Sequence, residues 1–101
     1  MDWDQQVKLK SRRKKGYLER AVATFDEAAK LAKDNSWLLE KMPAEYHFQL
    51  AFFDKGCAEF IYNLYPTTQK IYSDPKHLGP FLKVVKPWTL LDVVKAAVKN
   101  G

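Results

Sequence analysis

The stretch from Ala44 to Leu64 constrains the fold of this chain more than any other. Its apolar positions Tyr46, Leu50, Phe53, Cys57, Phe60 and Leu64 alternate steps of four and three. That spacing draws a seam along an α-helix. Phe48, Phe52, Ile61 and Tyr62 widen the seam, so a helix here should be buried on more than one side and act as the central element. Phe53 lies mid-seam and is expected in the core. Gly56 is the weak point. A helix that ends near Lys55 leaves Glu59–Tyr65 as a strand, paired with Gln69–Tyr72 across Pro66-Thr67-Thr68. The aromatic and β-branched residues of this region suit that alternative.

The flanking segments carry clearer signals. From Tyr17 to Lys33, apolar residues at Leu18, Ala21, Val22, Phe25, Ala28, Ala29 and Ala32 define one helical face, with Ala abundant and Pro absent. Asp34-Asn35-Ser36 reads as a stop and a restart, able to cap a short helix from Trp37 to Lys41. Met42-Pro43 breaks that helix. Ser73-Asp74-Pro75 is a helix start that Gly79-Pro80 interrupts, which leaves short turns. At the end, Thr89 is placed to cap a helix, with Asp92 three residues on and Leu90, Leu91, Val94, Ala97 and Val98 as its apolar face. The expected fold is therefore mainly α, a single domain over residues 1–101. Three to five helices pack around an aromatic-rich central helix, with a short β-hairpin within 59–72 as the alternative for that stretch.

Two short resemblances do not extend. Gly16-Tyr17 with Ala21, Phe25 and Ala28 resembles the second helix of a tetratricopeptide repeat, but Gln5, Lys8, Leu9 and Arg12 do not match its first helix. Thr89–Ala97 resembles the first helix of a lac-repressor-type helix-turn-helix, but Val94 and Val98 stand where that motif needs a small residue and a glycine.

Charge is concentrated rather than spread. The chain has 17 Lys and Arg against 12 Asp and Glu, a formal charge of +5. Lys8, Lys10, Arg12, Arg13, Lys14 and Lys15 place six cations in eight residues without an acid, and Arg20 follows. Residues 1–15 read as a basic arm or as an extension of the first helix. Such a run is a candidate contact for an anionic partner, nucleic acid among them. It also fits a solvated face that keeps the chain in solution.

Motifs of chemistry are lacking. His47 and His77 have no second ligand at metal spacing, so neither a metal site nor a cofactor is expected. Cys57, the one cysteine, reads as a buried, inert thiol. Scattered acids make no acid/base pair, the four glycines stand singly, and no small-molecule substrate is implied. The absence of paired cysteines, of a signal sequence and of a long apolar run points to a cytoplasmic protein with no membrane span. The leading functional expectation is a non-enzymatic regulatory or adaptor protein. It would bind another protein or a second copy of itself. The aromatics between Tyr46 and Tyr65 read first as core, and as an interface only where they exceed what a small core can cover. The alternative is nucleic-acid binding through residues 8–20.

Overall fold

A computed structural model describes residues 15–44 and 46–100 of the chain. It overturns the mainly α expectation: a four-stranded antiparallel sheet is packed with three helices, an α+β arrangement. In chain order, α1 covers residues 15–23. It is followed by α2 (Phe25–Asp34), β1 (Trp37–Lys41), β2 (Phe48–Asp54), β3 (Cys57–Tyr65), β4 (Lys70–Ser73) and α3 (Leu90–Asn100). The strands form a simple meander in the order β1-β2-β3-β4.

The region expected as the central helix is two strands and the turn between them. Phe48, Leu50 and Phe52 alternate along β2, and Phe60, Tyr62 and Leu64 along β3; these point to the same face. Residues of the opposite face, Ala51, Phe53 and Ile61, are apolar as well. With apolar groups on both faces, a period of 3.5 and a period of 2 fit the same letters. The turn decides between them. Lys55 and Gly56 both have positive φ, 53° and 82°. A two-residue turn with two left-handed residues matches the twist of a β-hairpin, and glycine takes the second position without strain. Beyond it, β3 pairs with β4, in agreement with the alternative pairing across Pro66. Trp37–Lys41, expected as a short helix, is β1; its buried Trp37 and Leu39 flank an exposed Leu38, the period of a strand.

The terminal helices form where the sequence places them. The first is split at Thr24, whose Oγ1 donates to Ala21 O (3.0 Å) and accepts from Leu91 N–H (3.4 Å). One threonine thus marks the α1–α2 junction and ties it to the start of α3. The Thr89–Asp92 capping box is present: Thr89 N–H donates to Asp92 Oδ2 (2.9 Å) and Asp92 N–H to Thr89 Oγ1 (3.2 Å). An extension of α1 upstream through the basic run falls outside the described residues.

Helices α2 and α3 pack together on one face of the sheet. The core there joins Ala28 and Ala32 of α2 and Leu90, Val93, Val94 and Ala97 of α3. Trp37, Leu39, Phe48, Leu50, Tyr62 and Leu64 supply the sheet side. Small residues on α2 let it approach closely, and the strands supply the bulk. Rings of Trp37 and Phe52 lie 5.1 Å apart, and those of Phe25 and Phe48 5.9 Å. Phe53 is not core. It projects from the opposite face and is 38 % exposed, whereas Leu50 is fully buried. Leu50→Ala should therefore cost about 2–5 kcal/mol in urea unfolding, and Phe53→Ala less than about 1 kcal/mol.

Candidate interaction surface

Between β4 and α3 the chain crosses the core side of the sheet as a strap, residues 74–89. Its first turn is made locally and anchored to β3. Asp74 Oδ1 accepts Lys76 N–H (2.8 Å), and Asp74 O accepts His77 N–H (3.0 Å). Asp74 N–H donates to Ile61 O (2.8 Å), and Ile61 N–H to His77 O (3.0 Å). Next comes a close approach. A side chain at Gly79 would collide with the Tyr62 ring and hydroxyl, so only glycine fits there. The Tyr62 hydroxyl then donates to Pro80 O (2.6 Å).

The far end of the strap is held by Gln69. This residue closes the β3–β4 turn with φ 56° and is 6 % exposed. Its Oε1 accepts Trp88 N–H (2.6 Å), and its Nε2 donates to Trp88 O (3.1 Å) and to Pro66 O (3.0 Å). A single amide side chain thus pairs with both backbone groups of Trp88, as a neighbouring strand would. The Trp88 ring, 2 % exposed, anchors the same point in the core.

Between these anchors the strap has a strand's side-chain pattern without a strand's partner. Residues 78–85 form no helix, turn or bend. Leu82 is buried and Val84 half-buried, while Phe81, Lys83 and Val85 point outward. Leu78, Phe81 and Val85 are 68, 87 and 83 % exposed. Among the described residues, no backbone N–H or C=O from Phe81 to Pro87 has a protein hydrogen-bond partner. Lys76, Lys83 and Lys86 are exposed along it, and no acid occurs from Pro75 to Leu91.

The sheet face away from the helices is a second open surface. Leu38, Phe53 and Tyr72 are exposed on it. His47 stacks on Tyr65 (4.7 Å, 6° between planes), and its Nε2 lies 2.8 Å from Asn63 Oδ1. Gln49 Nε2 donates to the same oxygen at 3.4 Å. The surface is thus polar at one end and apolar at the other. A cavity of about 240 Å³ between Val22, Phe25, Asp26, Lys41 and Phe48 is open to solvent.

Of the basic residues singled out from sequence, Lys8, Lys10, Arg12, Arg13 and Lys14 lie outside the described residues. Lys15 and Arg20 are exposed on α1. Cys57, expected to be buried, is exposed beside the β2–β3 turn. Among the described residues, no three His, Cys, Asp or Glu side chains gather as a metal site, and no helix is long and apolar enough to cross a membrane. Leu78, Phe81 and Val85 are surface residues that sequence reasoning does not single out. The signal that could have found them is a β-prone run, Phe81–Val85, bracketed by Pro80 and Pro87. No family model, curated protein or solved structure matches the chain.

Gln69→Leu would leave the buried Trp88 N–H and C=O without partners, and should destabilise the protein by about 1–3 kcal/mol per group in urea unfolding. Tyr62→Phe removes one hydrogen bond and should cost about 1 kcal/mol. Burial raises the Tyr62 phenol above its ordinary 10.0, which favours the neutral form in the folded state. That stability is complete below pH 10.0 and is lost as pH rises through the raised value. Alkaline destabilisation should accordingly be weaker in Tyr62→Phe than in the parent protein.

Proposed function

We propose that this protein is a small, non-enzymatic adaptor that acts by binding another protein through the strap. The observation that carries this reading is the exposure of Leu78, Phe81 and Val85 on a backbone anchored at both ends. Single exposed apolar residues are ordinary on a protein surface, but three large ones on one short anchored segment are not. Covering them fully would contribute roughly 1.5–3 kcal/mol each before the costs of association. Because Tyr62 and Gln69 already hold the segment, little further ordering would oppose binding. The proposed setting is the cytoplasm, where the exposed Cys57 would remain a thiol.

A second reading rests on a different observation, the acid-free basic run of residues 8–15. Those cations would contact nucleic-acid phosphates, with Arg12 and Arg13 able to grip phosphate through two hydrogen bonds each.

Photocrosslinking in cells separates the two. A benzoylphenylalanine at position 81 or 85 should give a discrete, nuclease-resistant protein adduct, and the same probe at the exposed Lys30 should not. Adducts of equal yield at all three positions, or none at 81 and 85, would contradict binding through the strap. The second reading is tested by replacing Arg12, Arg13, Lys14 and Lys15 with Gln. Its expected outcome is a log–log salt slope for duplex DNA that is shallower by about 0.9 for each phosphate the variant no longer neutralises.

A further inference from the structure

We propose that the strap is an open β-edge and that its partner is an extended, acidic-apolar segment of another protein, which adds as a strand alongside Phe81–Val85. The inference rests on the strap being the binding surface, and it specifies how that surface is used and what it takes.

The side chains of the strap already alternate as those of a paired strand do. Side chains alternate inward at Leu82 and Val84 and outward at Phe81, Lys83 and Val85. That is the period of a strand. Yet the N–H and C=O groups from Phe81 to Pro87 have no protein partner among the described residues. A row of unpaired backbone groups on an anchored segment, without a bend from Leu78 to Val85, is a template for another strand. Pro80 and Pro87, which have no N–H, delimit the run at both ends.

Charge selects the occupant. No acid occurs between Pro75 and Leu91, while Lys76, Lys83 and Lys86 are all exposed. Lys83 stands between Phe81 and Val85 on the outward side. A strand bearing an acid opposite Lys83 and apolar residues on either side would satisfy the charge and cover both apolar groups. A second copy of this chain fits poorly. Antiparallel self-pairing centred on Lys83 would set two lysines face to face, the arrangement that edge strands use against self-association. A membrane surface fits poorly too, since the free backbone groups beside Phe81 and Val85 would enter hydrocarbon unpaired.

The test uses the full chain and a displayed library of random twelve-residue peptides. The best binder is then synthesised and measured by fluorescence anisotropy. The expected peptides alternate apolar residues with at least one Asp or Glu. Lys83→Glu should weaken binding about tenfold, and a peptide with Lys in place of its acid should recover it. N-methylation of every second peptide amide should abolish binding in one phase and spare it in the other, because only alternate residues face the ladder. Phe53→Asp, on the open sheet face, should leave affinity unchanged. Each variant is checked for an unchanged melting temperature; if Lys83→Glu unfolds the protein, Lys83→Gln replaces it, with a smaller loss expected.

Peptides that bind but ignore Lys83 and the phase of N-methylation would overturn strand addition and leave the adaptor reading standing. Failure of the library to yield any binder would overturn the strand-addition proposal, while crosslinking at positions 81 and 85 reports separately on the adaptor reading. Binding to vesicles of phosphatidylcholine and phosphatidylserine that is abolished in Phe81→Asp, with no peptide selected, would replace both with a membrane contact. Concentration-dependent dimerisation abolished in the same variant would replace the proposed partner with a second copy.

Discussion

Gln69 holds the backbone of Trp88 with both ends of its side-chain amide, and the placement of the whole C-terminal third depends on that contact. Without it, the far end of the strap would be held by burial of the Trp88 ring and by the Thr24–Leu91 hydrogen bond alone, with the backbone of Trp88 unpaired. The contact is buried, so water cannot replace either partner when the amide is removed. It is also costly to arrange. Gln69 takes a left-handed backbone conformation, which places its side chain beneath the turn and toward Trp88. The fixed end of the strap then sets the starting point of α3, whose Leu90, Val93, Val94 and Ala97 complete the core against α2 and the sheet.

The same contact explains why the strap can be both ordered and unpaired. Its inward residues, Leu82, Val84 and Trp88, are held by burial, and its ends by side-chain hydrogen bonds. None of these uses the backbone groups of Phe81 to Lys86, which have no hydrogen-bond partner among the described residues. A segment held by side chains is therefore available to a partner through its main chain. The open sheet face differs: His47 and Gln49 both reach Asn63 Oδ1 there, and its apolar residues Leu38, Phe53 and Tyr72 are each less exposed than Leu78, Phe81 and Val85. This contrast, rather than the total of exposed apolar residues, favours the strap as the proposed contact surface.

What can be read in the sequence follows from how local each signal is. The α2 face, the Thr89–Asp92 capping box and the hairpin after Tyr65 are written in neighbouring residues. The central hairpin is not. Both faces of β2 and β3 carry apolar groups, so the helical seam Tyr46-Leu50-Phe53-Cys57 is a coincidence of the alphabet. Phe53 and Cys57, placed in the core by that seam, stand on the surface. The signal against the seam is Asp54-Lys55-Gly56, a hairpin turn that a helical reading takes for a flaw. Gln69 has no sequence signal at all, since its partner lies nineteen residues away and only the fold brings them together. The basic run is legible as a charge cluster, but its residues 8–14 lie outside the described structure.

Amide hydrogen exchange on the isolated protein reads the Gln69 anchor and the unpaired edge of the strap in one experiment. The Trp88 amide, bonded to Gln69 Oε1, should be protected as strongly as the paired amides of β3, and Gln69→Leu should remove that protection. The amides of Leu82 to Lys86 should exchange close to the rate of an unstructured chain despite the fixed position of the strap. Strong protection of Leu82 to Lys86 in the monomer would show that the strap is paired, and an unprotected Trp88 amide in the parent protein would show that Gln69 does not hold it.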